Sequence, residues 1–151
     1  MRPPAKAPAT PVPPRARAEG EPQIALRWGA IAGGLVVAYL LSVALGVVLA
    51  AAGLAGNLSA VPIGQFGALF CGGYFAGRWA RVSGFMNGVI VAVAWIAVWA
   101  LQNSLYEARL VREYGPLALP RMNMVGIIIG DLLNLVAAGL GGWLSARKSE
   151  V

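Results

Sequence analysis

The chain has 151 residues, of which 58% are hydrophobic and 12% charged. A soluble domain carries about 25% charged residues, and a chain this short cannot hide so much apolar surface in one core, so the composition points to a membrane protein. Twelve Lys and Arg against six Asp and Glu give a net charge of +6; that balance would suggest nucleic-acid binding in a soluble protein, but here topology must account for it first.

Residues 1–23 hold seven of the ten prolines, with Arg2, Lys6, Arg15 and Arg17 and only Val12 among large aliphatics. A segment of this kind buries too little to order itself and reads as a flexible basic tail. It would help orientation, or meet anionic headgroups or a proline-binding groove. After Arg27 comes a run of 50 uncharged residues, Trp28 to Gly77. One span needs about 20 residues, and the turn-forming Gly53, Gly56, Asn57, Ser59 and Pro62 divide the run. The expected spans are therefore about 27–52 and 62–80, followed by 84–103 and 124–146. The first apolar stretch exceeds the 7–15 residues of a signal-peptide core, which argues against cleavage after Ala50-Ala51-Ala52. The fold class expected is all-α, an integral membrane four-helix bundle. The third loop, residues 104–123, mixes Leu105, Leu110 and Val111 with Glu107, Arg109, Arg112 and Glu113. It reads either as a short surface helix or as a solvated loop.

Four spans place the tail, Arg27, Arg78, Arg81, Arg147 and Lys148 on one side, nine basic residues in all, and Arg109, Arg112 and Arg121 on the other. The positive-inside rule then predicts both termini in the cytoplasm of a multi-pass protein of the cell (inner) membrane. Trp28, Arg78, Trp79, Arg81, Trp143 and Arg147 become interface anchors at the inner face. Orientation thus absorbs the positive charge, and no nucleic-acid partner is expected.

The glycine-rich stretch Cys71-Gly72-Gly73-Tyr74-Phe75-Ala76-Gly77-Arg78 lies within the second span. A phosphate loop needs free backbone N–H groups at a helix start, whereas mid-span groups are already paired. Close helix packing is the better reading. Small residues recur every fourth position: Ala30, Gly34, Ala38, Ser42, Gly46 and Ala50 in the first span, and Gly64, Ala68, Gly72, Ala76 and Ala80 in the second. Gly84, Gly88 and Ala92 follow in the third, and Gly126, Gly130, Asn134, Ala138, Gly142 and Ala146 in the fourth. Gly34, Gly46, Gly72, Gly73, Gly77, Gly84, Gly88, Gly130 and Gly142 are the candidate packing glycines. Gly72–Arg78 also aligns with Gly141–Arg147, which suggests two related hairpins in one orientation.

The motif Gly72-Gly73-Tyr74-Phe75-Ala76-Gly77-Arg78, followed by Gly84 and Gly88 opening the next span, resembles the YrzE-like family of small four-span bacterial membrane proteins. The resemblance covers about residues 27–147 and implies four helices and no established activity.

There is no histidine, one cysteine and one aspartate, too few groups for a protein-only metal site. A nucleophile has no base beside it. No enzyme activity and no cofactor are expected. Asp131 would lie about 10 Å into the fourth span at 1.5 Å per residue, where a carboxylate is costly and should face the bundle. Asn134 sits one turn on, and Gln65 reaches a similar depth from the second span. Asn87, the fourth intramembrane polar candidate, falls nearer the inner face. Asp131 reads either as a hydrogen-bonded tie between helices or as a proton- or cation-sensitive site. Two functions follow: a non-catalytic scaffold or accessory subunit that packs on itself or a partner membrane protein, or a small oligomeric transporter or channel using Asp131.

Overall fold

The computed structural model describes residues 26–54, 60–119 and 122–147. The Pro-rich tail over 1–23, part of the first loop (Gly56, Asn57 and Ser59), and Arg121 and Lys148 lie outside the described residues. Four helices form in the order α1 (Trp28–Ala51), α2 (Ala60–Ala80), α3 (Gly84–Tyr114) and α4 (Met124–Arg147), with a single 3₁₀ turn at Pro116–Ala118. The all-α architecture is the one expected. By length and composition α1, α3 and α4 can each cross a membrane. At 21 residues α2 has the length of a span, but glycines, Gln65 and Arg78 leave it without an 18-residue stretch as apolar as those of the other three.

Local chemistry explains where the helices stop. Gly53 takes φ +70° just after α1, and the Leu54 N–H returns 2.7 Å to the Leu49 carbonyl, a left-handed cap that glycine adopts freely. The turn from α2 to α3 instead uses two non-glycine residues in the left-handed region, Arg81 at φ 58° and Ser83 at φ 49°. Gly115 at φ +82° ends α3, and Pro116 follows at once.

The helix that begins the third span continues past the expected end at 103, so residues 104–114 are neither a separate surface helix nor a loop. Helix α3 runs without a break for 31 residues, about 46 Å at 1.5 Å per residue, against a hydrocarbon core of about 30 Å. Nothing between Leu101 and Tyr114 interrupts the helix, since its first breaker is Gly115-Pro116. Asn103 Nδ2 also donates to Glu107 Oε1 one turn on, at 2.9 Å. Charge marks where a span leaves the apolar layer; it does not end a helix.

Close contacts set the helix directions. Gly34 meets Gly72 and Ala76, and Gly64 meets Leu45, so α1 and α2 are antiparallel. Gly73 packs on Ala138 and Gly77 on Gly142 and Ser145, which makes α2 and α4 parallel. Gly84 lies on Gly142 and Gly88 on Ala138, so α3 and α4 are antiparallel. Helices α2 and α3 each touch all the other helices, whereas α1 and α4 do not touch each other. The cross-section is a rhomb with α2 and α3 on its short diagonal. A two-fold axis relating the hairpins would require α1–α4 contact to match α2–α3 contact, so the packing does not follow the sequence echo.

The buried core is made of small residues: Ala38, Ala68, Ala76, Ala80, Ala92, Ala137 and Ala138, joined by Leu69 and Val91. Outward-facing positions carry the large ones, such as Val36, Leu40, Val47, Leu101, Ile128 and Leu132. This inverts the pattern of a soluble bundle, where large aliphatics fill the core. It matches helices that associate by backbone approach with lipid outside.

Candidate functional site

The bundle has two unlike ends. At the end holding the start of α1 and the turn from α2 to α3, glycines bring backbones into contact. A Cβ built on Gly34 would stand 2.6 Å from the Gly72 carbonyl oxygen, and one on Gly84 would stand 2.5 Å from that of Gly142. Cβ atoms on Gly73, Gly77 and Gly88 would overlap α4 in the same way. At the opposite end the ladders continue in sequence but not in space. Gly46 and Gly130 have no neighbour within 4 Å of a built Cβ, so the packing expected of these two glycines does not occur within the chain. On α1 the i, i+4 series drifts about 40° per step and has turned Gly46 off the packed face, while Leu45 beside it still meets Gly64; at Gly130, α4 has diverged from α2 and α3.

That divergence opens a cleft of about 240 Å³ among α2, α3 and α4. Three of the polar residues singled out above line it: Gln65 from α2, and Asp131 and Asn134 from α4. Asp131 and Asn134 share a helical face because they are three residues apart. Helix α3 contributes Trp95 and Trp99, one turn apart and therefore stacked on one side. Val61, Pro62, Ile96 and Ile127 complete apolar walls, and Gly126 and Gly130 form a floor without side chains. Among the described residues the lining holds one carboxyl group and no basic residue.

Each polar group in the cleft is half-buried. Gln65 Nε2 is fully enclosed and makes no hydrogen bond, the one such buried side-chain atom among the described residues. An enclosed donor without an acceptor costs about 1–3 kcal/mol. Trp95 is steadied from behind by Tyr39, at 6.2 Å between ring centroids. Trp99 is 41% exposed and open to approach.

Asn87 is elsewhere. It is wholly buried at the closed end, where its Oδ1 accepts the Arg27 N–H at 3.0 Å. Its Nδ2 donates to the Val82 carbonyl at 3.0 Å and to the Ser83 carbonyl at 3.1 Å. It ties the start of α1 to the left-handed turn before α3 and is a structural clamp. The anchors share this end. Trp28 and Trp79 are largely exposed, Phe75 packs edge-on against Trp79 at 5.6 Å, and the Arg147 guanidinium lies 4.0 Å over the Trp143 ring. Arg78 and Arg81 are exposed.

Sequence reasoning missed Trp95 as a cleft residue and Ser145 as a buried one. Ser145 Oγ donates to the Gly142 carbonyl at 2.7 Å at the contact with Gly77. The i, i+4 spacing of Trp95 and Trp99 was the available signal. Cys71 is an exposed thiol, and among the described residues no group of three or more His, Cys, Asp or Glu is present. The cleft offers one carboxyl group, two side-chain amides and aromatic walls. No protein-family model matches the chain, and no curated protein or solved structure matches it.

Proposed function

We propose that this membrane protein binds a cation at Asp131 and serves as a small transporter or as the binding subunit of one. The observation that carries this reading is the convergence of Asp131, Asn134 and Gln65 in one cleft with no basic residue in its walls. An aspartate that only tied helices together would be enclosed by donors; this one borders open space. The packing glycines Gly34, Gly72, Gly73, Gly77, Gly84, Gly88 and Gly142 are occupied within the chain, so few small-residue faces remain for a partner. The tightly packed end closes the path beyond the cleft, so transport by one protomer would need a conformational change or assembly with further copies.

The scaffold reading keeps one favourable observation. Gly46 and Ala50 continue the α1 ladder on an exposed face, where another membrane helix could approach. Asp131→Asn separates the two readings. In sealed vesicles containing the full chain, uptake of Na⁺ or of a labelled organic ammonium ion, or dissipation of a proton gradient, whichever of the three the wild type supports, should fall to the protein-free rate while oligomeric state in mild detergent is unchanged. Wild-type rates in the variant, or protein-free rates in the wild type, would overturn the cation-site reading.

A further inference from the structure

We propose that the cleft takes a substituted ammonium ion: a cation with an apolar body and an oxygen on a short arm, choline being a simple form. This deepens the cation-site reading and rests on it. The charge of the ligand follows from the lining, which has the Asp131 carboxylate and, among the described residues, no basic side chain. Its size follows from the volume: about 240 Å³ lies below the range of about 300–1,000 Å³ typical of drug-sized ligands.

The walls set the kind of cation. Hard metal ions want shells of six or more oxygens, and Asp131, Asn134 and Gln65 supply too few. An alkylated ammonium spreads its charge over an apolar body, is weakly hydrated and is attracted to indole faces. Trp95 and Trp99 provide two indoles, and Val61, Ile96 and Ile127 provide apolar contact. The side-chain amides of Gln65 and Asn134, which line the cleft, specify the arm, because an amide N–H can donate to a hydroxyl, ether or carbonyl oxygen beside the ammonium. The same chemistry occurs in a free solute and in a zwitterionic lipid headgroup, and a cleft that opens at one end of the bundle is within reach of both.

The test uses the full chain in phosphatidylglycerol vesicles, with equilibrium binding of labelled choline and tryptophan emission as readouts. Choline should bind saturably and displace with tetramethylammonium, while Na⁺ at equal ionic strength should not compete. Asp131→Asn should weaken choline binding by about a hundredfold or more, since an ion pair at short range in a half-buried site is worth several kcal/mol. Gln65→Leu should remove the preference for choline over tetramethylammonium, which has no oxygen arm, and leave tetramethylammonium binding unchanged. Should Asp131→Asn misfold, Trp99→Leu replaces it and should weaken binding of both ions.

Choline binding no better than that of Na⁺, or unchanged in Asp131→Asn and Trp99→Leu, would overturn the proposal. Repeating the titration in phosphatidylcholine vesicles identifies the source. Loss of choline binding there supports a headgroup, and unchanged binding supports a free solute. If Asp131→Asn abolishes Na⁺ or proton uptake while choline never binds, the ammonium proposal fails and the broader cation site stands. If uptake and choline binding are both indifferent to Asp131, both fall.

Discussion

Gly73→Ala adds one methyl group at the contact between α2 and α4. The new Cβ would stand 2.7 Å from both the carbonyl carbon and the Cα of Ala138 and closer still to its carbonyl oxygen. Carbon atoms settle at about 3.5–4.0 Å, so the helices must part by about 1 Å. A gap of that size forfeits about a quarter to a half of each dispersion contact along the interface. The obstacle is backbone, which cannot rotate aside as a side chain can. Overpacking of this kind costs about 1–3 kcal/mol, a factor of about 5–150 in the folded ratio. Gly46→Ala is the matched comparison: no atom lies within 4 Å, and exposed substitutions of this sort stay within about 0.5 kcal/mol of wild type. The assay is the fraction folded across a titration from mild detergent into dodecyl sulfate, with far-UV dichroism confirming that the helices persist. A Gly73→Ala variant as stable as Gly46→Ala would refute the packing argument.

Asn87→Ala leaves the Arg27 N–H and the Val82 carbonyl without the side-chain partners they now have. The expected loss is about 1–2 kcal/mol, since the orphaned partners are only part-buried and water can partly replace the lost bonds, and hydrogen exchange should accelerate first at the start of α1. Ala108→Pro should break the exposed end of α3 locally, at about 3 kcal/mol for a helix-interior proline, because residues 104–114 are mostly exposed. Limited proteolysis should then cut between Ser104 and Tyr114 while core stability is unchanged; a bundle that unfolds with it would contradict the free-standing extension. Reporter fusions after Asn57, Val82, Gly115 and Val151 should read outside, inside, outside and inside, and a cytoplasmic signal at Gly115 would overturn the topology inferred from basic residues.

Asp131 stood out in the sequence because it is the only aspartate and interrupts an apolar run; that required nothing beyond composition and the cost of charge in lipid. Helices α1, α2 and α4 were legible for a similar reason, since apolar length and glycine turns are local signals. The full length of α3 was obscured because Glu107 and Arg109 mark the end of an apolar segment but not of a helix. Helix ladders gave no means of separating Gly34 from Gly46. Both belong to one i, i+4 series, but three steps of that series turn about 120° around the helix, and Gly34 meets Gly72 while Gly46 meets nothing. Whether a stripe is covered depends on the paths of the other helices. Those paths are set by side chains distant in sequence, among them Trp95 and Trp99, which stand where α2, α3 and α4 part.

The chain's composition and periodicity therefore settled a membrane helix bundle with one charged residue in an apolar span, because backbone satisfaction and burial are local demands that each span must meet alone. Tertiary structure decided that Gln65, Asp131 and Asn134 border the same cleft while Asn87 is spent on a clamp at the far end. Convergence of side chains from different helices depends on rotation and splay, which no single helix encodes.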